Sequence, residues 1–470
     1  MNINSVYNIY FLGIGGIGMS ALARYFKSIG KNVAGYDLTQ TSLTSQLQSE
    51  GIEIHYEDKI EQIPLNFLEN PTVTLVVLTP AIPKEHTELN FFKNNNFQIL
   101  KRAQVLGLIS SNLPTIAIAG THGKTTTTTL SAHTLWLNKM VSCAFFGGIS
   151  KNYDTNMLLS EKSENQHVKN QKYFVVEADE FDRSFLTLNP EIAVITSTDA
   201  DHLDIYGDKK SVLEAFSDFA QKIKKNGKLI LHKNVSLLKE PEDVEIYRYS
   251  LDEKCDFYAK NIRLNNEFYT YDIVCKNETI ENVTLGIPGL VNVLNSVAVA
   301  AIAFLIGVEK EEIKSAFKSF EGVKRRFDIR YRTEDLIFID DYAHHPEELK
   351  AFLNSVRQIY KDKKITGIFQ PHLFSRTRDF AEEFAKSLNL LDELILLDIY
   401  PAREKPIENV TSKIIFDKVE IVNKLILSKV ELEKKLDSLK TDILLTIGAG
   451  DIDKEADRIV KILSEKKISQ

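Results

Sequence analysis

Thr115 to Leu137 reads TIAIAGTHGKTTTTTLSAHTLWL, and its order of residue types decides the fold. The apolar, β-branched run Thr115 to Ala119 predicts a buried strand. Gly120-Thr121-His122-Gly123-Lys124-Thr125 follows, with Thr126 next, and a helix is predicted from near Thr125 onward. Strand, glycine loop and helix start make a phosphate cradle. Loop amides point inward, the helix dipole favours an anion, and lysine adds a point charge. A hydroxyl directly after the lysine stands where such loops hold Mg2+. The longer P-loop pattern has its first glycine where Ile118 stands, so this loop is the shortened GxxGKT form. The bland alternative, a glycine turn with a solvated lysine, leaves the order of the five features unexplained.

Upstream, Asn8 to Leu12 predicts a strand that runs into Gly13-Ile14-Gly15-Gly16-Ile17-Gly18, then a helix from Met19 to Ile29. A second strand, Asn32 to Tyr36, ends at Asp37. This is the G-x-G-x-x-G fingerprint in its βαβ setting. It predicts a site for a nucleotide with a pyrophosphate, of which NAD would be only one case. A further strand, Val73 to Leu78, ends at Thr79-Pro80-Ala81-Ile82-Pro83, and Thr79 and Ala81 join that ligand-binding edge.

Downstream, Lys151 to Lys172 reads as a polar loop. Tyr173 to Val176 predicts a strand ending in Glu177-Ala178-Asp179-Glu180. A carboxylate at a strand end beside a phosphate loop is the usual second holder of Mg2+. The next strand, Ile192 to Thr196, ends in a polar run from Ser197 that contains His202. Ser211 to Lys225 predicts an amphipathic helix and Lys228 to His232 a strand; short alternating strands to about Leu285 read as an antiparallel extension. Gly289 to Phe304 predicts a helix with Asn292 and Asn295 on one face. Those amides either read an adenine or cap the helix start.

Val323-Lys324-Arg325-Arg326-Phe327 marks a boundary, and a third α/β run follows. Its strands Leu336 to Ile339, Ile365 to Phe369, Glu393 to Leu397 and Asp442 to Ile447 each end in a polar cluster. Asp341, Tyr342, His344, Arg376 and Arg378 fall there. The fold predicted is α/β in three domains: a Rossmann-like domain over residues 1–112, a central P-loop-type ATPase domain over 113–323 and a Rossmann-like domain over 324–470.

The chain has 470 residues, 43% hydrophobic and 26% charged, an ordinary globular composition with length for about three domains. Its net charge of -7 argues against nucleic acid as a partner. Cys143, Cys255 and Cys275 are scattered without metal-ligand or disulfide spacing, which fits a reducing compartment. No basic leader with an apolar run and no membrane-length apolar run occurs, so a cytoplasmic location without membrane insertion is expected.

Ten motifs stand in order along the chain: FLGIGGIGMSALA, GTHGKTTT, VVEADEFDRSFL, DADHLDIYGD, NVLN, RRFD, DDYAHHPEE, FQPHLFSRTRDF, YPAREKP and GAGDI. Together they resemble the Mur ligase family of peptidoglycan precursor synthesis, over essentially the whole chain. The resemblance implies a first domain for the UDP moiety, a second for ATP and Mg2+, and a third that closes over the site with the amino acid. It implies a monomer or homodimer. Carried over by motif, Lys124 holds the β- and γ-phosphates, and Thr125 and Glu177 hold one Mg2+. His202 resembles a histidine that helps hold a second. Asn292 and Asn295 match adenine- and ATP-side positions, Arg325 or Arg326 an ATP-site arginine, and Asp341 a nearby acid. Tyr342, His344 and Arg376 resemble positions lining the amino-acid pocket, with Arg378 beside them. The base that deprotonates the amine is expected near His344 or Asp341.

The alanine-adding branch is the nearest match, which implies UDP-N-acetylmuramate and L-alanine as substrates. Ligases for later steps carry a lysine that becomes carbamylated; counted without gaps its position falls here on Phe216, and the alanine-adding branch also lacks that lysine. Two residues depart from the branch pattern. Leu373 stands where many members have arginine, which leaves Arg376 and Arg378 for the amino acid's carboxylate. Val291 replaces a histidine before the first asparagine of the helix. Rival readings are a ligase that recycles an intact tripeptide onto the same UDP-sugar, an NAD-dependent dehydrogenase, and a nucleotide-gated binding protein. The dehydrogenase leaves the second phosphate loop idle.

Overall fold

The computed structural model describes residues 5–160, 171–199, 206, 208–251, 254–402, 404–436 and 438–468. These form three sheets. The first has five parallel strands, β1 (Asn8–Leu12), β2 (Asn32–Tyr36), β3 (Glu53–His55), β4 (Thr74–Leu78) and β5 (Gln98–Lys101), in the order β3-β2-β1-β4-β5. After Asn8, strand β1 is apolar because both of its faces are covered. Ile9 and Phe11 pack with Leu22 and Phe26 of the helix Ile17–Ser28, and Tyr10 and Leu12 pack with Leu89 and Phe92 on the other face. The strand order reverses at β1 and β4, so the fingerprint loop and the Thr79 loop share a crevice edge.

The second sheet has ten strands: β6 (Thr115–Ala119), β7 (Val141–Ser150), β8 (Thr155–Leu159), β9 (Tyr173–Glu177), β10 (Ile192–Ile195), β11 (Gly227–His232), β12 (Val244–Ser250), β13 (Phe257–Asn265), β14 (Phe268–Cys275) and β15 (Glu278–Thr284). Their order is β15-β14-β13-β12-β11-β10-β6-β9-β7-β8. The phosphate-loop strand β6 lies between β10 and β9, parallel to both. The helix Lys124–Leu137 that follows is not amphipathic, because it is buried nearly all round. Its threonines are poor helix formers; Thr129 and Thr134 bond back to the carbonyls of Thr125 and Leu130, each at 2.8 Å.

Two expectations need correction here. The stretch read as a polar loop after Lys151 contains β8, antiparallel to β7. Its Asn156 is fully buried because its amide donates to Ile17 O at 2.6 Å and Ser20 Oγ at 2.8 Å in the first helix. The extension read as antiparallel begins parallel: β12 runs parallel to β11 and β13 parallel to β12. β13, β14 and β15 are joined by short turns of the hairpin kind.

The third sheet has β16 (Asp328–Arg332), β17 (Ile337–Asp341), β18 (Ile365–Phe369), β19 (Glu393–Leu396), β20 (Lys424–Ile426) and β21 (Ile443–Ile447) in the order β16-β17-β21-β18-β19-β20. All are parallel except β16. Asp340 and Asp341 complete β17 rather than follow it. The chain divides into two compact units, one of Met1–Lys260, Asp272–Val283 and Asn295–Phe320, the other of Asn261–Tyr271, Thr284–Leu294 and Glu321–Gln470. Among the described residues no helix is long and apolar enough to cross a membrane.

Candidate active site

The fingerprint loop turns at Gly13, whose φ is +86°. Gly15 N donates to Asp37 Oδ2 at 2.7 Å, so the acid that ends β2 braces the loop from within. Thr79 lies against Gly13, with its Cγ2 2.3 Å from where a Cβ would stand. Gly16 and Ala81 are exposed, and Ile17 and Gly18 are partly so, at the start of the helix Ile17–Ser28. An open helix N-terminus beside a strand-end crevice suits a phosphate anion.

The phosphate loop is braced by the strand beside it. Thr196 Oγ1 donates to Ala119 O at 3.2 Å and also to His122 O. Ser197 Oγ accepts from His122 N at 2.9 Å and meets Thr121 Oγ1 at 2.7 Å. His122 Nε2 lies 3.6 Å from Asp199 Oδ2. Gly123 caps the helix at φ +79°, and a Cβ there would stand 2.7 Å from Asn295 Oδ1. The structure thus brings Asn295 to the loop. Asn292 does something else: its amide donates to Pro288 O at 2.7 Å, at the start of its own helix. Thr126 is buried in the first turn.

Lys124 lies across this loop. Its Nζ donates to Gly120 O at 2.6 Å and to Glu180 Oε1 at 2.8 Å, and Glu180 is only 1% exposed. Burial works against the ammonium, but Glu180, Asp179 and Glu177 outweigh it and hold Lys124 above the ordinary lysine range. Thr125 Oγ1 donates to Glu177 Oε1 at 3.2 Å, and Gly147 N donates to Glu177 Oε2 at 3.1 Å. His202 lies outside the described residues.

Glu180 and Gly147 are site residues that the sequence reading did not single out. Glu180 was present in the EADE run, but nothing in the run says which acid meets the lysine. Gly147 had a signal: a glycine inside a strand marks a close approach, and a Cβ there would stand 2.2 Å from Glu177 Oε2.

In the second unit, Arg325 and Phe327 sit at φ +64° and +46°. Their segment is held by Tyr342 N to Arg325 O at 2.8 Å and Phe327 N to Asp341 Oδ2 at 2.7 Å. Ala343 N donates to the other oxygen, Asp341 Oδ1, at 2.9 Å. Burial pushes the Asp341 carboxyl up to about 6. Both its oxygens are engaged by backbone amides, so it braces this segment and is badly placed to take a proton from an amine. Arg325 bonds Asp340 Oδ2 at 3.3 Å and Gly448 O. Arg326 acts electrostatically on Asp341 and stacks, as Arg325 does, 5.0 Å from the Tyr342 ring.

Tyr342, His344, His372, Arg376 and Tyr400 form one group. His344 lies 5.2 Å from the Tyr342 ring and 5.8 Å from His372, which stacks on Tyr400. Arg376 Nη1 is 3.5 Å from His372 Nδ1. Burial, then Arg376 and Arg326, lower the His344 pKa against the pull of Glu348, and burial takes His372 down to about 4. Both imidazoles are therefore neutral proton acceptors at pH 7. Arg378 is exposed and bound to Asp379 at 2.7 Å, outside this group. Leu373 sits at φ +68° at the start of the helix Phe374–Asp379.

Comparison with known proteins covers the whole chain. Residues 8–113 match the family model described as Mur ligase family, catalytic domain; 118–303 match Mur ligase middle domain; 325–452 match Mur ligase, glutamate ligase domain. A UDP-N-acetylmuramate–L-alanine ligase of Parabacteroides distasonis is 49% identical over 467 residues, 99% of each chain. One from Phocaeicola vulgatus is 48% identical over 468 residues, 99% of this chain and 100% of that one. The crystal structure of the UDP-N-acetylmuramate-alanine ligase of Thermotoga maritima superposes with a TM-score of 0.80 at 26% identity, covering 98% of this chain and 99% of that one.

Proposed function

The chain belongs to the Mur ligase family, and on that premise we propose that it joins L-alanine to the lactyl carboxylate of UDP-N-acetylmuramate, with ATP converted to ADP and phosphate, in peptidoglycan precursor synthesis. The end-to-end likeness to alanine ligases carries this reading, and it does not favour the tripeptide-recycling alternative. The lactyl carboxylate attacks the γ-phosphate, and ADP leaves. The alanine amine then attacks the acyl carbon of the acyl phosphate; phosphate leaves and the nitrogen loses a proton.

Residues 1–112 bind the UDP-sugar through Gly13, Gly15, Gly16, Ile17, Gly18, Asp37, Thr79 and Ala81 in this reading. Residues 113–323 bind ATP on Gly120 to Thr126 with Lys124 on the phosphates and Asn295 beside the loop. Residues 324–470 take the amino acid with Tyr342, His344 and Arg376. His344 is the better acceptor for the amine's proton, because its imidazole is neutral and Asp341 is engaged.

The central difficulty is bringing one anion onto another. Like charges ~4 Å apart repel by ~4 kcal/mol at an effective dielectric of ~20. Three acids, Glu177, Asp179 and Glu180, act on Lys124, and Arg102 pairs with Asp179, so among the described residues the cradle carries no surplus of positive charge. Thr125 Oγ1 and Glu177 Oε1 are adjacent hard oxygen donors, which suits Mg2+, a cation held by a carboxylate and substrate phosphates rather than a protein cage. Bound there, it would neutralise developing phosphate charge.

The test is phosphate release with ATP, Mg2+ and UDP-N-acetylmuramate against L-alanine, glycine, L-serine and the tripeptide. L-alanine should give the highest kcat/KM, and Lys124→Ala should lose turnover. Release without the UDP-sugar, or preference for the tripeptide, would overturn the assignment.

A further inference from the structure

Arg102 has no role in the reaction as described so far. It opens the helix Arg102–Asn112 directly after β5, on the strand-end edge that also carries the fingerprint loop. Its guanidinium lies on Gly18: a Cβ there would stand 2.1 Å from Nη1 and 3.2 Å from Cζ. Gly18 is inside a helix and has no positive φ, so its backbone does not demand glycine, and glycine is a poor helix former. What fills the space of its missing side chain is the arginine.

On the other side, Arg102 Nη2 is 3.2 Å from Asp179 Oδ2, one residue before the glutamate that holds Lys124. The guanidinium thus stands between the fingerprint loop and the phosphate cradle, 26% exposed. A sugar nucleotide's diphosphate is doubly charged, and a helix N-terminus offers only about half a unit of charge. Asp37 adds a negative group on the same loop. Of the two basic residues at the end of β5, Lys101 is exposed and pairs with Asp182 at 3.6 Å. Arg102 is the one set against the helix start, and its planar fork of donors suits phosphate oxygens.

We infer that Arg102 binds the diphosphate of the sugar nucleotide, its guanidinium shared between a phosphate oxygen at the start of the helix Ile17–Ser28 and the Asp179 carboxylate. This rests on the UDP-sugar reading of the first domain. Arg102 is then a binding residue that links the two anion sites, and Gly18 is the slot that admits it.

The experiment is calorimetric titration of the full-length protein with UDP, UDP-N-acetylmuramate and, separately, ATP with Mg2+. Arg102→Ala should weaken UDP and the UDP-sugar by about tenfold or more, the size of a lost charged hydrogen bond. ATP affinity should change much less than UDP affinity, because Arg102 reaches the phosphate cradle only through Asp179. Arg102→Lys keeps the charge without the fork and should recover part of the loss. Gly18→Ala should weaken UDP in the parent protein but add little in the Arg102→Ala background, because its effect passes through the guanidinium. Undiminished UDP binding by Arg102→Ala overturns the assignment, and so does equal loss of ATP binding, which would make the residue structural. A parent protein that binds neither UDP nor the UDP-sugar overturns the underlying reading instead.

Discussion

Glu180→Gln is the perturbation that tests the phosphate cradle most directly. Both Glu180 oxygens lie 2.8 Å from Lys124 Nζ, and the side chain is 1% exposed. Glutamine keeps the volume, so no cavity forms; the charge is lost and one of the two acceptors becomes a donor. Breaking a buried pair by removing one partner costs about 3–5 kcal/mol when the remaining charge has no compensation. Here Lys124 is 14% exposed, keeps its bond to Gly120 O and still feels Asp179 and Glu177. The expected loss is therefore lower, about 2–3 kcal/mol. Lys124→Met should lose a similar amount, and the double variant should lose less than the sum, with a coupling of about 2 kcal/mol. Amide hydrogen exchange along the helix Lys124–Leu137 reads this locally, without assuming two-state unfolding of a multidomain chain. ATP with Mg2+ should protect that helix more in Glu180→Gln than in the parent, because phosphates supply the missing counter-charge. A coupling within about 0.5 kcal/mol of zero would show that the pair is not energetically joined and would refute the reasoning.

A buried carboxyl in the first sheet gives a pH test. Burial raises Glu88 from 4.5 to about 7, and it accepts from Tyr10 Oη at 2.7 Å. The folded form then binds more protons than the unfolded form between those values, so stability should fall as pH rises from about 4.5 to 7, by something of order 3 kcal/mol. Glu88→Gln should flatten that window in a denaturation series; an unchanged slope would refute the link. Leu373 gives a test of strain: its φ of +68° suits glycine, so Leu373→Gly should be more stable than Leu373→Ala by about 1 kcal/mol, the reverse of the usual order, and the usual order in thermal melts would sink the strain argument.

Much of the fold was legible because its signals are local. Strands β1, β2, β6 and β18 begin and end at the residues expected from the sequence. The two phosphate-type loops were legible from glycine spacing between a strand and a helix. Strand β8 was not, since Asn156 looks like a loop residue until Ile17 and Ser20 are seen to satisfy it. The direction of β12 was not, since alternation such as VEIYRYS reports one exposed face and not which neighbour pairs with it. The two readings of the asparagine helix separated only in three dimensions, with Asn292 at the helix start and Asn295 at Gly123.

What the sequence could not supply was the occupant of each glycine's empty space. Gly15 admits Asp37 beside the Thr44 methyl, Gly18 admits Arg102, Gly123 admits Asn295 and Gly147 admits Glu177. Only Gly123 of these four has a positive φ, so backbone freedom accounts for one and close approach for the rest. Each partner is polar, and all but Asp37 come from a segment 30 or more residues away in the chain. Asp37 is itself 22 residues from Gly15, which is the one spacing that a βαβ unit fixes and a sequence pattern can therefore encode. The other three spacings depend on how separate strands and helices are assembled, so no linear motif can carry them. A glycine in a site motif thus announces that something approaches closely, and the fold alone decides whether that is a ligand or the side chain that will hold it.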